Sequence, residues 1–228
     1  MGKLPGLRAL LGPYFLATVA MTAYSVFYMY CDFRYHWTPL DVGMFMTLGG
    51  LGAGIHQGLT VRVVIPALVS EEQAASGGYL LHAFSMVMFG TASQGYMIYV
   101  ATILLGVHQV ADPAMVALMT AIPGPDHKGA LQGALLSVRT LAHAVGAPVF
   151  GAIFAWCIST DFIKRHGRPL PGAPFLLASA ILFITSTLCQ RVFYNQRAKK
   201  RNDEKLREEA KPLLKDEMQY AAGKAELA

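Results

Sequence analysis

Charged side chains are scarce over most of this sequence. Asp, Glu, Lys and Arg make up 14% of its 228 residues and hydrophobic residues 54%, whereas soluble domains average about 25% charged and about 45–50% apolar residues. Nearly half of the charged residues follow Tyr194, so the first 194 residues carry only 17 of them. This composition excludes a disordered chain and most soluble enzymes. It predicts that much of the surface contacts a lipid bilayer.

Cysteines and the motifs of soluble catalysis are also few or absent. The three cysteines, Cys31, Cys157 and Cys189, lie far apart, so we expect neither a disulfide framework nor a metal site. Dinucleotide-binding, P-loop, zinc-protease and serine-hydrolase motifs are missing. We therefore expect that the protein is not an enzyme and binds no cofactor. The net charge of +5 comes from loops and the tail, which favours membrane orientation over a nucleic-acid partner.

Long apolar runs are the dominant feature that is present. A transmembrane helix needs roughly 20 mostly apolar residues, and six runs approach that length. The sequence therefore predicts an all-α membrane fold with six transmembrane helices. The predicted spans are about Leu10–Tyr30, Val42–Val64, Gly77–Ser93, Tyr96–Thr120, Ala130–Ile158 and Pro174–Phe193. The first run exceeds the 7–15 residues of a signal-peptide core, which favours a retained helix.

The distribution of Lys and Arg predicts the orientation of these spans. With six spans both termini share one side, and that side holds Lys3, Arg8 and the basic cluster after the last span. The loop that holds Lys164, Arg165 and Arg168 lies on the other side and weakens the asymmetry. The positive-inside rule then predicts cytoplasmic termini. The predicted organisation is a cytoplasmic segment (1–9), a six-helix bundle (10–194) and a charged cytoplasmic tail (195–228).

Two fully charged side chains, Asp112 and Arg139, fall inside predicted spans. A charge at membrane depth costs several kcal/mol, so such residues usually face a cavity and are paired. The two spans meet at the loop Ala121–Lys128, so the charges can lie at similar depth. Pro113, placed inside the fourth span, would free the carbonyl of Gln109. Two interpretations stay open: an ion pair that only joins helices, and a site for substrate or protons.

Histidine and glutamine side chains extend this polar pattern. His108 and Asp112 are four residues apart, as are Arg139 and His143, so each pair shares a helix face. Gln109 lies beside the first pair. Histidine titrates near physiological pH and suits proton relay, although a lone buried histidine is usually just hydrogen-bonded. The sequence predicts that these five residues form one polar cluster.

Glycines are concentrated in the second and fifth predicted spans. Small residues let helices approach closely in a membrane, so these two helices are expected to contact other helices rather than lipid. The glycines that we assign to helix packing and to an interface with another helical half are Gly50, Gly54, Gly129, Gly133, Gly146 and Gly151.

Several segments together resemble a known family. Gly129–Ser137 continued through Gly146–Gly151, the Pro-Gly-Ala-Pro-Phe-Leu stretch Pro171–Leu176, and Trp37–Gly43 are similar to the C-terminal half, helices seven to twelve, of the major facilitator superfamily. The branch that they resemble holds the tetracycline/H⁺ antiporters and the hippocampus-abundant-transcript-like transporters. The latter also have an Arg where Arg139 stands. The resemblance covers roughly residues 8–194.

The resemblance implies transmembrane secondary transport of a small solute. Members have twelve helices in two halves, with the substrate site between the halves near the midplane. The resemblance therefore implies a second six-helix half as a partner, from upstream in the same chain or from another copy. It also implies that this chain is a fragment, a truncated form or a pairing half of a transporter. Gln57 falls where these relatives often have a Gln, which implies that it lies on the substrate or proton pathway. The alternative is a six-span scaffold or accessory subunit without transport activity.

Overall fold

The computed structural model describes residues 5–59, 69–122 and 128–226, and within these ranges every regular element is helical. Two compact units divide the chain, residues 1–190 and 191–228. The elements are α1 (Pro5–Met21), a 3₁₀ helix (Thr22–Val26), α2 (Phe27–Tyr35), α3 (Pro39–Leu59), α4 (Glu71–Thr91), α5 (Gly95–His108), α6 (Ala111–Thr120), α7 (Lys128–Cys157), α8 (Thr160–His166) and α9 (Ala173–Glu226).

Three helical segments in the described ranges are long and apolar enough to cross a membrane. They are Gly6–Tyr35, Lys128–Cys157 and Ala173–Glu204, and Pro39–Ile55 is a shorter apolar helix. The all-helical prediction is confirmed by these elements. The count of six spans stays a prediction, and part of the second predicted span, residues 60–64, lies outside the described residues.

The first predicted span is interrupted rather than regular. Between α1 and α2 the chain tightens into the 3₁₀ helix, where Thr22 donates its hydroxyl to the carbonyl of Val19 at 2.6 Å. Such local side-chain bonds compete with the regular α-helical pattern. A methyl group added at Gly146 of α7 would collide with Thr22, so the two backbones lie very close here. The interruption is thus the point where the first span packs against α7.

The fourth predicted span is wrong in one respect, because it is two helices. α5 ends at His108, a turn covers Gln109 and Val110, and α6 begins at Ala111. We expected Pro113 inside one continuous helix. Because proline lacks an N–H, the helix restarts instead, and Pro113 falls in the first turn of α6, where an N–H needs no helical partner. This restart places Asp112 at a helix N-terminus.

The helix α4 begins six residues before the predicted third span. The Ser70 hydroxyl accepts a hydrogen bond from the Gln73 backbone N–H at 3.4 Å, and the Gln73 side chain accepts one from the Ser70 N–H at 3.2 Å. This capping box satisfies two backbone donors that a helix start leaves unpaired. The polar run Glu71–Gln73 therefore starts the helix rather than extending the loop.

Serine hydroxyls join α4 to its neighbours inside the first unit. Ser85 donates to a backbone carbonyl of α5 at 3.0 Å. Ser179 and Ser186 of α9 each donate to a backbone carbonyl of α4 at 2.9 Å. All three side chains are buried. Hydrogen bonds of this kind hold helices together where apolar packing alone gives little preference over lipid.

Two tyrosines of α2 donate hydrogen bonds to backbone carbonyls at the C-terminal end of α4. Tyr30 and Tyr35 of α2 donate their hydroxyls to the carbonyls of Phe89 and Ala92, at 2.6 and 2.9 Å. These are among the carbonyls that lack a partner at a helix C-terminus. The ring of Tyr30 also packs against Phe175 of α9, so α2, α4 and α9 meet at this point.

The second unit is the charged end of α9. It is helical to Glu226, and Arg191, Arg197, Lys199 and Arg201 are exposed. Alternating acidic and basic residues three and four positions apart support such a helix.

Candidate functional site

Asp112 and Arg139 form an ion pair between α6 and α7. A guanidinium nitrogen of Arg139 lies 3.6 Å from one carboxylate oxygen of Asp112. The distance exceeds the 2.7–3.2 Å of a direct N–H···O hydrogen bond, so the pair is loose. The Arg139 side chain is 47% exposed and that of Asp112 25%. The structure therefore brings together the two charges that the sequence placed at similar depth.

The second oxygen of Asp112 is held by α4. Tyr79, whose ring is fully buried, donates its hydroxyl to this oxygen at 3.2 Å. The preceding residue sets the helix spacing, because a Cβ built at Gly78 would lie 2.7 Å from the Cβ of Ala111. This close approach of α4 and α6 is what puts Tyr79 within reach of Asp112.

Tyr14 of α1 adds a fourth helix to the site. Its ring is buried, and its hydroxyl lies close enough to Arg139 and Asp112 to interact electrostatically with both. Sequence reasoning missed both Tyr14 and Tyr79. The available signal was that a tyrosine in an apolar span must place its hydroxyl on a polar partner. Only the fold shows that this partner is the Asp112–Arg139 pair.

The other predicted members of the cluster lie at different places in the fold. Gln109 lies in the turn between α5 and α6, is half-buried and has an interaction partner. His143 is exposed on α7, one turn beyond Arg139. The side chains of His108 and Gln57 lie outside the described residues, so their roles stay predictions.

The helix α7 carries an exposed polar stripe at the edge of its buried face. Its buried residues lie three, four or, once, seven positions apart, from Leu131 to Cys157, and face α1 and the 3₁₀ helix. Gln132, Arg139 and His143 lie along the edge of this face and are exposed. Their spacings of seven and four residues place them within one narrow stripe along the helix. A polar stripe with a charge in an apolar protein faces water or another protein rather than lipid.

The glycines assigned to an interface separate into two groups. A Cβ built at Gly50, Gly54, Gly129, Gly133 or Gly151 meets nothing within 4 Å, so these positions leave open surface on α3 and α7. Gly146 differs, because it packs against Thr22 inside the same bundle. This contact agrees with its assignment to helix packing, and an interface with a second half stays a prediction at this position.

The sequence pattern of the Major Facilitator Superfamily matches residues 10–225. The chain belongs to the Major Facilitator Superfamily. It is therefore an integral, multi-pass membrane protein of a transporter family. The family prediction is confirmed.

Individual superfamily relatives agree with this assignment. The tetracycline resistance protein, class D, of Salmonella ordonez is 30% identical over 168 residues, 72% of this chain and 39% of the relative. Hippocampus abundant transcript-like protein 1 of Bos taurus is 22% identical over 173 residues, 71% of this chain and 34% of the relative. The chain thus spans between a third and two-fifths of the length of these relatives.

A solved superfamily structure has the same fold. The human organic anion transporter MFSD10 (TETRAN) superimposes with a TM-score of 0.69 over 83% of this chain and 42% of that protein, at 22% sequence identity. At this identity the likeness establishes the helical architecture alone.

Proposed function

We propose that this superfamily chain works as the C-terminal six-helix half of a secondary transporter for a small solute. In this proposal residues 10–194 form six spans, and residues 1–9 and 195–228 lie on the cytoplasmic side. A second six-helix half completes the transporter, and the two halves rock against each other around a central polar site.

The observation that carries the proposal is the half-exposed ion pair on the open face of α7. Arg139 would be strongly unfavourable against lipid tails, even beside Asp112. Its face therefore meets a water-filled cavity or a second half. Gly129 and Gly133 of the same helix are open as well and leave room for a close-packed partner helix.

Transport by the purified 228-residue chain in proteoliposomes tests the proposal. Uptake of tetracycline and of organic anions, the solutes after which the similar proteins are named, is measured with and without an N-terminal six-helix half of a tetracycline resistance protein. Asp112→Asn should reduce transport at least tenfold, because a loss of about 1.4 kcal/mol is tenfold. Asp161→Asn is the matched control, since Asp161 is exposed in α8 and makes no ion pair in the described part of the chain.

Equal membrane levels of the two variants make the comparison valid. Normal transport by Asp112→Asn would reduce the pair to a structural contact. If the unmodified chain transports nothing in either setting, a scaffold or accessory role is the better description.

A further inference from the structure

The two members of the ion pair are held very differently. Arg139 has five N–H donors, yet it reaches Asp112 through one nitrogen at 3.6 Å and is nearly half exposed. The hydroxyl of Tyr14 is its other neighbour described at the site. Most of the guanidinium is thus directed to the open face of α7 and has hydrogen-bonding capacity to spare.

Asp112, in contrast, is stabilised without Arg139. Tyr79 donates a hydrogen bond to one of its oxygens, and the residue sits in the first turn of α6. The partial positive charge at a helix N-terminus favours a carboxylate there. Asp112 therefore still has a hydrogen-bond donor when Arg139 turns away, whereas Arg139 forms no second ion pair among the described residues.

We infer that Arg139 is an exchangeable cation that binds an anionic group of the transported solute, with Asp112 as its counter-ion in the unloaded state. A carboxylate fits best, because the planar guanidinium can donate two parallel hydrogen bonds to it. The inference rests on the proposed transport function and names the substrate class of that site. Gln132 and His143, exposed on the same stripe, lie on the surface that such a solute would approach.

A cationic solute bound by Asp112 is the opposite arrangement, and the geometry disfavours it. Asp112 is the less exposed partner, and its two oxygens already face Tyr79 and Arg139. A cation would also have to approach past the Arg139 guanidinium, and like charges repel at this range.

Three probes of similar size but different charge test the substrate class. Binding of benzoate, benzamide and benzylamine to the purified full-length chain is measured by calorimetry in detergent. We expect benzoate to bind more tightly than the other two. Arg139→Gln should weaken benzoate binding about tenfold or more, because the charge-assisted hydrogen bonds to the carboxylate are lost. Arg168→Gln, at an exposed position outside the predicted spans, should leave it unchanged.

Asp112→Asn separates this inference from a merely structural pair. Removing the resident counter-ion should tighten benzoate binding several-fold, because the solute no longer competes with Asp112 for Arg139. A structural role predicts weaker binding, or none, in this variant. Helical content and the unfolding temperature without ligand show that each variant is folded.

Two results would overturn the inference: preferential benzylamine binding that Asp112→Asn abolishes, or equal binding of all three probes. Its failure is distinguishable from that of the proposed function. Asp112-dependent transport of an uncharged or cationic solute would reject the anion site but keep transport. Benzoate binding through Arg139 without transport in any setting would keep the anion site and reject the transporter.

Discussion

At the scale of single residues, Asp112 shows how local and distant features combine. The helix restarts beside Pro113, which puts the carboxylate at a helix N-terminus, while Gly78 lets α4 approach closely enough for Tyr79 to donate to it. Each neighbour makes the cost of a charge in the bundle smaller. Arg139 then need not neutralise Asp112 completely, which is consistent with their loose contact.

Gly78 and its neighbour Gly77 provide a matched pair for testing this close approach. A methyl group at Gly78 would collide with Ala111, whereas at Gly77 it would meet nothing within 4 Å. Gly78→Ala should destabilise the chain by about 1–3 kcal/mol through overpacking. Gly77→Ala should be neutral or stabilising by up to about 1 kcal/mol, because alanine is the better helix former. Unfolding midpoints in detergent measure both, and a stable Gly78→Ala chain would show that α4 and α6 separate easily.

At the scale of elements, α7 both packs against the bundle and presents the polar residues of the candidate site. One face packs on α1 and the 3₁₀ helix through residues that end in Phe150, Phe154 and Cys157. The edge of this face presents Gln132, Arg139 and His143 to the outside. The helix therefore anchors the polar stripe on the rest of the bundle.

Cysteine labelling distinguishes a stripe that faces water from one that faces lipid. Cys31, Cys157 and Cys189 are buried, so the unmodified chain should give little background reaction. In membranes, His143→Cys should react with a charged, membrane-impermeant thiol reagent, because thiolates form only where water reaches them. Ala142→Cys, one residue earlier and buried, should stay unreacted. An inert His143→Cys in the membrane would place this face against lipid.

At the scale of the whole molecule, the open faces of α3 and α7 predict association. Both carry glycines with free space around them as well as exposed apolar side chains such as Leu51 and Leu136. Small residues at such positions allow helices of a partner to pack closely. A bundle with these faces uncovered should be less stable alone than when paired.

Sedimentation of the chain in mild detergent measures this association. We expect dimers or larger species, and a lower unfolding temperature for any monomer. Gly133→Trp, which fills open space on α7, should weaken association about tenfold, as the loss of a central interface contact commonly does. Gly12→Trp on α1 is the control, because Gly12 is equally open but lies on another helix. A stable monomer unaffected by either change would count against an interface on α7.

The sequence alone determined the class of protein, because apolar runs, scarce charges and a set of short motifs depend only on local composition and order. It also gave helix ends near those observed for α7, where the predicted start and end differ by two residues and one residue. The charges Asp112 and Arg139 could be singled out because charges at membrane depth are costly anywhere in such a chain.

Tertiary structure alone decided which groups surround these charges and which glycines stay open. Tyr14 and Tyr79 join the site from α1 and α4, and their distances in sequence give no sign of it. Gly146 and Gly151 look alike in the sequence, yet only Gly146 lies against Thr22, because helix crossing geometry is set by contacts between elements. The break between α5 and α6 shows the same limit. Pro113 predicts an irregularity in the helix, but the sequence does not show whether the helix kinks or ends and restarts.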